Sequence, residues 1–292
     1  MKPIAGKSFK QQLIPLYIVA TPIGNLADIS KRALDILASV DTVLAEDTRH
    51  SKRLLAHYGI ITRLKSCHEH NEAGLVDWVK QQLSAGKPLA LISDAGTPLI
   101  SDPGFVLVRA LRAEGYSVLS VPGPSSIIAA LSVSGMPSDS FVYDGFLPSK
   151  SSARQAALAK YQHETRTCVL LESSHRIEAC IEDIAAVLGD QRDVVIAREL
   201  TKRFETVLSG SARELLDIIG QDPDQQRGEF VVLIAGAPAM DVDEKEVQKM
   251  LGILMQELPL KQAAGIAAKL SGRRKNDVYD LALKLRQELF NE

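Results

Sequence analysis

The sequence predicts an α/β protein with a parallel-sheet N-terminal domain, a mixed-sheet C-terminal domain and a small helical extension. Three observations carry this expectation. From residue 16 to about 131, short apolar runs alternate with helix-like stretches, the pattern of a parallel sheet. The later strand candidates crowd together, as in a mixed or antiparallel sheet, and beyond residue 243 only helical periodicity remains. The expected divisions are 14–135, 140–238 and 243–292.

The apolar run 13–20 follows Lys2, Lys7 and Lys10 and so imitates a secretory signal. Pro15 interrupts the run and no A-x-A site follows, so 16–20 is read as a buried first strand of a cytoplasmic protein. Strands are then predicted at 42–45, 63–66, 88–92 and 117–121, with helical stretches such as 30–38, 52–58 and 71–85 between them. Their nearly continuous Val, Ile, Leu and Ala suit a sheet covered by helices on both faces. A segment rich in Gly, Pro and Ser, 134–152, reads as the link to the second domain. That domain has predicted strands at 166–171, 193–197, 204–209 and 229–235, with helices near 175–188 and 211–219. Residues 236–238 close it, and an acidic linker, 241–246, leads to helices at 247–257, 260–270 and 278–289.

Composition removes several classes of function. The chain has 34 basic and 36 acidic side chains, a net charge of −2, so any nucleic-acid partner must be met by a local basic patch. Cys67, Cys168 and Cys180 are odd in number and form no C-x-x-C pair, which excludes a disulfide framework or zinc ribbon. No run approaches the roughly 18 apolar residues of a membrane span.

Four polar or Gly/Pro-rich segments each follow a predicted strand: T-P-I-G-N at 21–25, E-D-T-R-H-S at 46–51, S-D-A-G-T-P at 93–98 and P-G-P-S-S at 122–126. In an open parallel sheet such segments share one edge, where ligands bind. Each glycine loop alone would serve as a tight turn; several at one edge predict a ligand cradle. Neither G-x-G-x-x-G nor G-x-x-x-x-G-K-[ST] is present, and A-G-K-S at 5–8 precedes the strand instead of following it. The expected ligand is therefore nucleoside-like, without a pyrophosphate.

In E-D-T-R-H-S, Glu46 and Asp47 stand beside Arg49, a grouping suited to binding a polar substrate or moving a proton. The competing role is helix capping by Asp47 or Thr48. C-H-E-H-N-E at 67–72 carries a thiol and two imidazoles, but neighbouring ligands in an extended segment point apart, so no metal is expected. A substrate-facing loop ending in Asn71 as an N-cap fits better. R-E-L-T-K-R-F-E at 198–205 suits a solvated hairpin or a functional loop equally. In the tail, small residues on one helix, a glycine-containing turn and a second amphipathic helix predict helix-turn-helix geometry. Lys261, Lys269, Arg273, Arg274 and Lys275 concentrate positive charge there, suited to RNA, with a packing or dimerisation module as the alternative.

The runs L-Y-I-V-A-T-P-I-G-N-L-A-D-I-S, A-E-D-T-R-H-S, S-D-A-G-T-P-L-I-S-D-P-G and V-P-G-P-S-S-I-I-A-A-L resemble the tetrapyrrole methylase superfamily of S-adenosylmethionine-dependent transferases. They are most similar to its ribosomal RNA branch, the small-subunit methyltransferase I family, and the likeness covers about residues 14–236. The resemblance implies a class III methyltransferase fold, a homodimer, and S-adenosylmethionine bound between the two domains. It further implies 2′-O-methylation of a cytidine ribose at the decoding centre of 16S ribosomal RNA, within the small ribosomal subunit. By position, the methyl donor would meet Pro22, Ile23, Asp94, Thr97, Ser125, Ser126 and Leu171. The first loop, A-T-P-I-G-N, is poorer in glycine than is usual for the family.

A sulfonium methyl is already activated, so the protein must mainly align the nucleophile and exclude water. A ribose hydroxyl is a poor nucleophile, and Asp47 or Glu46 is the expected proton acceptor, with Arg49 orienting a phosphate or the carboxylate. Two other readings compete. The same fold would accept a small tetrapyrrole precursor or a translation-factor side chain, against which the basic tail speaks. A non-catalytic RNA-binding assembly factor would have no need of the complete loop set.

Overall fold

A computed structural model describes residues 14–238 and 244–290. The basic residues before Leu13, the A-G-K-S run and residues 241–243 of the acidic linker lie outside the described residues.

Five four-residue strands build the first sheet: β1 (Leu16–Val19), β2 (Thr42–Ala45), β3 (Arg63–Ser66), β4 (Leu89–Ile92) and β5 (Val118–Val121). All pair in parallel, in the order β3-β2-β4-β1-β5. Between them run α1 (Lys31–Ser39), α2 (Thr48–His57), α3 (Glu72–Ser84) and α4 (Phe105–Ala113). Successive strand residues serve opposite faces. Val43, Ala45, Ala90 and Ile92 pack with Leu37 and Leu55 of α1 and α2. Leu44, Leu89 and Leu91 pack with Val79 and Leu107 of α3 and α4. The strand order reverses between β1 and β4, where a doubly wound sheet opens its crevice.

The second sheet comprises β6 (Phe141–Phe146), β7 (Thr167–Ser173), β8 (Asp193–Arg198), β9 (Thr206–Ser211) and β10 (Glu229–Ile234), ordered β6-β7-β10-β8-β9. Only β6 and β7 are parallel; the remaining pairs are antiparallel. One face lies on α6 (Ser151–Leu158), α7 (Ile177–Leu188) and α8 (Ala212–Gln221), through Leu158, Ile181 and Leu215 among others. The other face is covered by α5 (Ser126–Ser134), whose Ile127, Ala130 and Leu131 pack on Val169, Val195, Val231 and Leu233. This helix follows the last strand of the first sheet yet completes the core of the second.

Two expectations are corrected. The segment 134–152 is not a plain link, because it contains β6; Asp144 and the left-handed Gly145 (φ +66°) break the alternation that reveals a strand, and the register shifts there. The strand predicted at 204–209 starts two residues later, because 199–205 form a tight loop.

The tail folds as α9 (Glu244–Glu257), α10 (Leu260–Ser271) and α11 (Lys275–Phe290). Val247, Leu251, Ala264, Ala267, Val278 and Ala282 form its core. Gly272, at φ +69°, takes the left-handed position that ends α10.

A buried ion pair joins α6 to α7: Arg154 Nε lies 2.6 Å from Asp183 Oδ2, with the side chains only 3% and 7% exposed. Ser151 Oγ and Gln155 Nε2 also donate to Asp183. Removing one partner strands the other charge, so Asp183→Ala is expected to cost about 3–5 kcal/mol, whereas the double change Arg154→Met with Asp183→Leu costs far less. Urea unfolding midpoints check this; equal losses would contradict it.

Candidate active site

The loops after β1, β2, β4 and β5 meet at one edge of the first sheet, and they are bonded to one another. Thr21 and Gly96 exchange backbone hydrogen bonds of 2.9 and 3.0 Å, stitching the first loop to the third. The Asp47 N–H donates to Asp94 Oδ1 at 3.0 Å, tying the second loop to the third. Thr97 Oγ1 donates to the Pro124 carbonyl at 3.0 Å, tying the third loop to the fourth.

The edge faces the second domain across a cavity of about 540 Å³. Ile23, Glu46, Asp94, Asp102 and Ser126 line it from the first-domain side, and Leu171, Glu172, Leu200, Glu229 and Val231 from the other. Five carboxylates (Glu46, Asp94, Asp102, Glu172 and Glu229) border this space, and none of the lining residues described is Lys, Arg or His. Such a lining suits a cationic ligand with an apolar portion.

Beside it lies a polar basin of about 470 Å³, lined by His68, Glu69, His70, Glu72 and Pro103 together with Glu46, Ser101 and Asp102. The last three belong to both spaces and form the wall between them. Leu99 and Ser101 hold left-handed backbones (φ 73° and 65°) without being glycine, a strain the surrounding structure must sustain. Ser101 Oγ lies 2.6 Å from the Tyr143 hydroxyl, a contact from the first domain to the second.

The sequence-predicted residues divide by position. Ile23, Asp94, Ser126, Leu171 and Glu46 line the larger cavity. Pro22, Thr97 and Ser125 sit in the loops but not on its wall, and Thr97 acts as the staple just described. Asp47 caps α2, which begins at Thr48 rather than Lys52, and accepts hydrogen bonds from the Arg49 N–H and guanidinium. Those bonds hold its carboxyl down at about 2. Arg49 is exposed to solvent, 2.9 Å from Asp47. Asn71 stands at the N-cap of α3, yet its Oδ1 accepts from the His68 N–H instead of capping the helix. Cys67 is fully buried, and burial pushes its thiol up to about 12. Among the described residues, no three His, Cys, Asp or Glu are grouped to hold a metal ion. Lys261, Lys269, Arg274 and Lys275 are exposed on the tail and Arg273 is half-buried.

Asp102 and Glu172 were not predicted. Burial, opposed by the Ser93 hydroxyl and reinforced by Glu46 and Asp94, raises Asp102 to about 6. Glu46 is likewise raised, by burial and then by Asp94. Glu172, on β7, is buried and accepts from Arg176 Nη2 at 3.0 Å; that same nitrogen donates to the Leu147 carbonyl. The S-D-P-G turn and the E-S-S-H-R run carry these residues, and paired acidic and small polar residues next to apolar runs are the signal that would have found them.

Residues 15–216 match the family described as Tetrapyrrole (Corrin/Porphyrin) Methylases, and 241–286 match the RsmI C-terminal HTH domain. The chain is 51% identical over 272 residues to a Pseudomonas aeruginosa protein named Ribosomal RNA small subunit methyltransferase I, covering 92% of this chain and 96% of that one. A Xylella fastidiosa protein of the same name is 50% identical over 265 residues, covering 90% and 97%. Among solved structures, the methyltransferase CobJ has the same fold, with a TM-score of 0.56 at 15% identity over 76% of this chain and 94% of that one.

Asp102 has a signature in stability. Its raised carboxyl means that between the ordinary aspartate range and about pH 6 the folded state binds more protons than the unfolded state, so stability falls as pH rises through that window. Asp102→Asn removes this loss. Its denaturation midpoint relative to the parent is expected to rise from pH 4 to pH 7.5 and to stay level below pH 4; a constant difference would contradict the assignment.

Proposed function

The chain belongs to the tetrapyrrole methylase family, in the branch named ribosomal RNA small subunit methyltransferase I. From that premise we propose that it transfers a methyl group from S-adenosylmethionine to the ribose 2′-hydroxyl of a cytidine in the decoding centre of 16S ribosomal RNA. The observation that carries this reading is the shared wall of Glu46, Ser101 and Asp102 between an acidic, partly apolar cavity and a polar basin. Two reactants of different chemistry can meet there at one carboxylate.

The larger cavity fits the methyl donor. Its volume falls in the range of about 300–1,000 Å³ usual for such sites. Its carboxylates match a sulfonium and an ammonium, and Ile23, Leu171, Ala197, Leu200 and Val231 offer an apolar bed for an adenosyl group. When bound, S-adenosylmethionine supplies a methyl carbon already activated by the sulfonium. Asp94, Asp102, Ser126, Ile23 and Leu171 would hold it, while Pro22, Thr97 and Ser125 shape the loops behind them.

The protein's own residues then align the hydroxyl, exclude water and receive a proton. Glu46 is the proton acceptor in this reading. It faces both compartments, and its raised carboxyl lies nearer neutrality than that of Asp47, which is occupied by its cap and by Arg49. His68 and His70 border the basin that would receive the RNA, with the Arg49 guanidinium available to a phosphate outside it. The polar basin and the basic helical tail favour RNA over a tetrapyrrole.

The RNA is proposed to be presented within the small ribosomal subunit, in the cytoplasm, to a homodimer. Support for the dimer comes from the β5 edge strand and α5, where Leu119, Ile128 and Val133 are exposed apolar residues suited to a second copy. No helix among the described residues is long and apolar enough to cross a membrane.

Two outcomes follow. With small subunits lacking the methyl group as acceptor, Glu46→Gln is expected to lower kcat about 10²–10⁴-fold with donor affinity nearly unchanged, and Asp47→Asn to have a much smaller effect. Equal transfer by Glu46→Gln and the parent would contradict the role of Glu46. Removing residues 241–292 is expected to weaken RNA binding far more than donor binding, measured by filter binding and calorimetry; equal loss of both would make the tail structural.

A further inference from the structure

The loop between β8 and β9, residues 199–205, is built more rigidly than a solvated hairpin requires. Glu199 and Thr201 both hold left-handed backbones, at φ 51° and 65°, and neither is glycine. The strain is held by a dense set of bonds. The Thr201 N–H donates to Glu205 Oε2 at 2.6 Å, and the Lys202 N–H to the Glu199 carbonyl at 2.9 Å. The buried Arg198 guanidinium reaches under the loop, donating to the Phe204 carbonyl at 3.2 Å and to the Arg227 carbonyl at 2.6 Å. The Lys202 ammonium lies 2.8 Å from Glu199 and 3.0 Å from Glu229.

The loop also stands at the rim of the cleft. Leu200 and Glu229 line the donor cavity. Across from them the first-domain loop presses so close that a Cβ on Gly24 would lie 2.5 Å from Lys202 Cγ and 2.9 Å from Thr201 Oγ1. At the tip of this fixed frame, Phe204 is 62% exposed, and the Arg203 guanidinium stands 5.5 Å from its ring centre. An exposed ring costs hydration free energy, and backbone strain of this kind collects at functional sites.

We propose that Arg203 and Phe204 form a platform on which an unpaired base of the RNA stacks, next to the ribose that is methylated. Single-stranded RNA is recognised by aromatic and guanidinium planes that take up splayed bases, and the positive charge on the ring suits a polyanion. The rigid loop lets the platform bind without a further ordering cost. Leu200 of the same loop lines the cleft, so the platform stands on its second-domain rim. This role rests on the proposed RNA methylation and adds the residues that select an unstacked strand.

The test uses the full chain, small ribosomal subunits lacking the methyl group, and radiolabelled S-adenosylmethionine. Phe204→Ala is expected to raise the KM for subunits about 5- to 150-fold, the effect of losing one stacked base, while donor Kd and the unfolding midpoint stay at parental values. Phe204→Trp is expected to retain the parental KM, and Phe204→Leu to behave as alanine does. A KM unchanged in Phe204→Ala, rescue by leucine, or an equal fall in donor affinity would overturn the platform. So would a shift of Phe204→Ala to half the parental mass in sedimentation, which would assign the ring to a second copy. Absence of any transfer by the parent would overturn the proposed function and the platform with it.

Discussion

The site depends on one apolar contact. Ile127, Ala130 and Leu131 of α5 leave the first sheet and bury themselves against Val169, Val195, Val231 and Leu233 of the second. Without α5 that face of the second sheet would lie open to water, at a cost of about 25 cal/mol per Å² of apolar surface. With it, the two sheets are locked together, and the Ser126 end of the helix is held at the cavity wall. Ile23 of the first loop and Leu171 and Leu200 of the second domain border the same apolar cluster. The packing that joins the domains therefore continues into the lining of the cleft.

That rigid junction lets the cleft sustain unfavourable electrostatics. Burial, and after it the neighbouring carboxylates, raises the affinity of Glu46 and Asp102 for protons. A cationic ligand would offset this crowding of carboxylates, so the cleft is suited to one. Backbone strain occurs at Leu99 and Ser101 in the third loop and at Glu199 and Thr201 in the loop between β8 and β9. Three of these are held by bonds to other residues: Ser101 to the Tyr143 hydroxyl, Glu199 to the Glu229 N–H, and the Thr201 N–H to Glu205.

Much of this was legible in the residues. Every strand of the first sheet falls within one residue of its predicted bounds, helped in β1, β2 and β4 by short runs dominated by Val, Ile, Leu and Ala. The convergence of four loops follows from parallel topology alone. What stayed hidden depended on distance in space. β6 was masked by Asp144 and Gly145, which serve a register shift rather than a turn. Asp47 and Glu46 both offer a carboxylate for the proton; the helix start at Thr48 settles Asp47 as the cap and leaves Glu46 facing the cleft. Asp102 lies in the third loop, where Leu99 and Ser101 hold left-handed backbones.

In the proposed function, the cleft between these sheets is where one ribose of the small-subunit RNA is methylated. Mapping ribose methylation across 16S ribosomal RNA from cells with and without the gene tests that claim most directly. The expected result is the loss of a single 2′-O-methyl group, on a cytidine of the decoding centre, restored by the intact gene but not by the Glu46→Gln form. An unchanged set of ribose methyl groups in cells lacking the gene would contradict it.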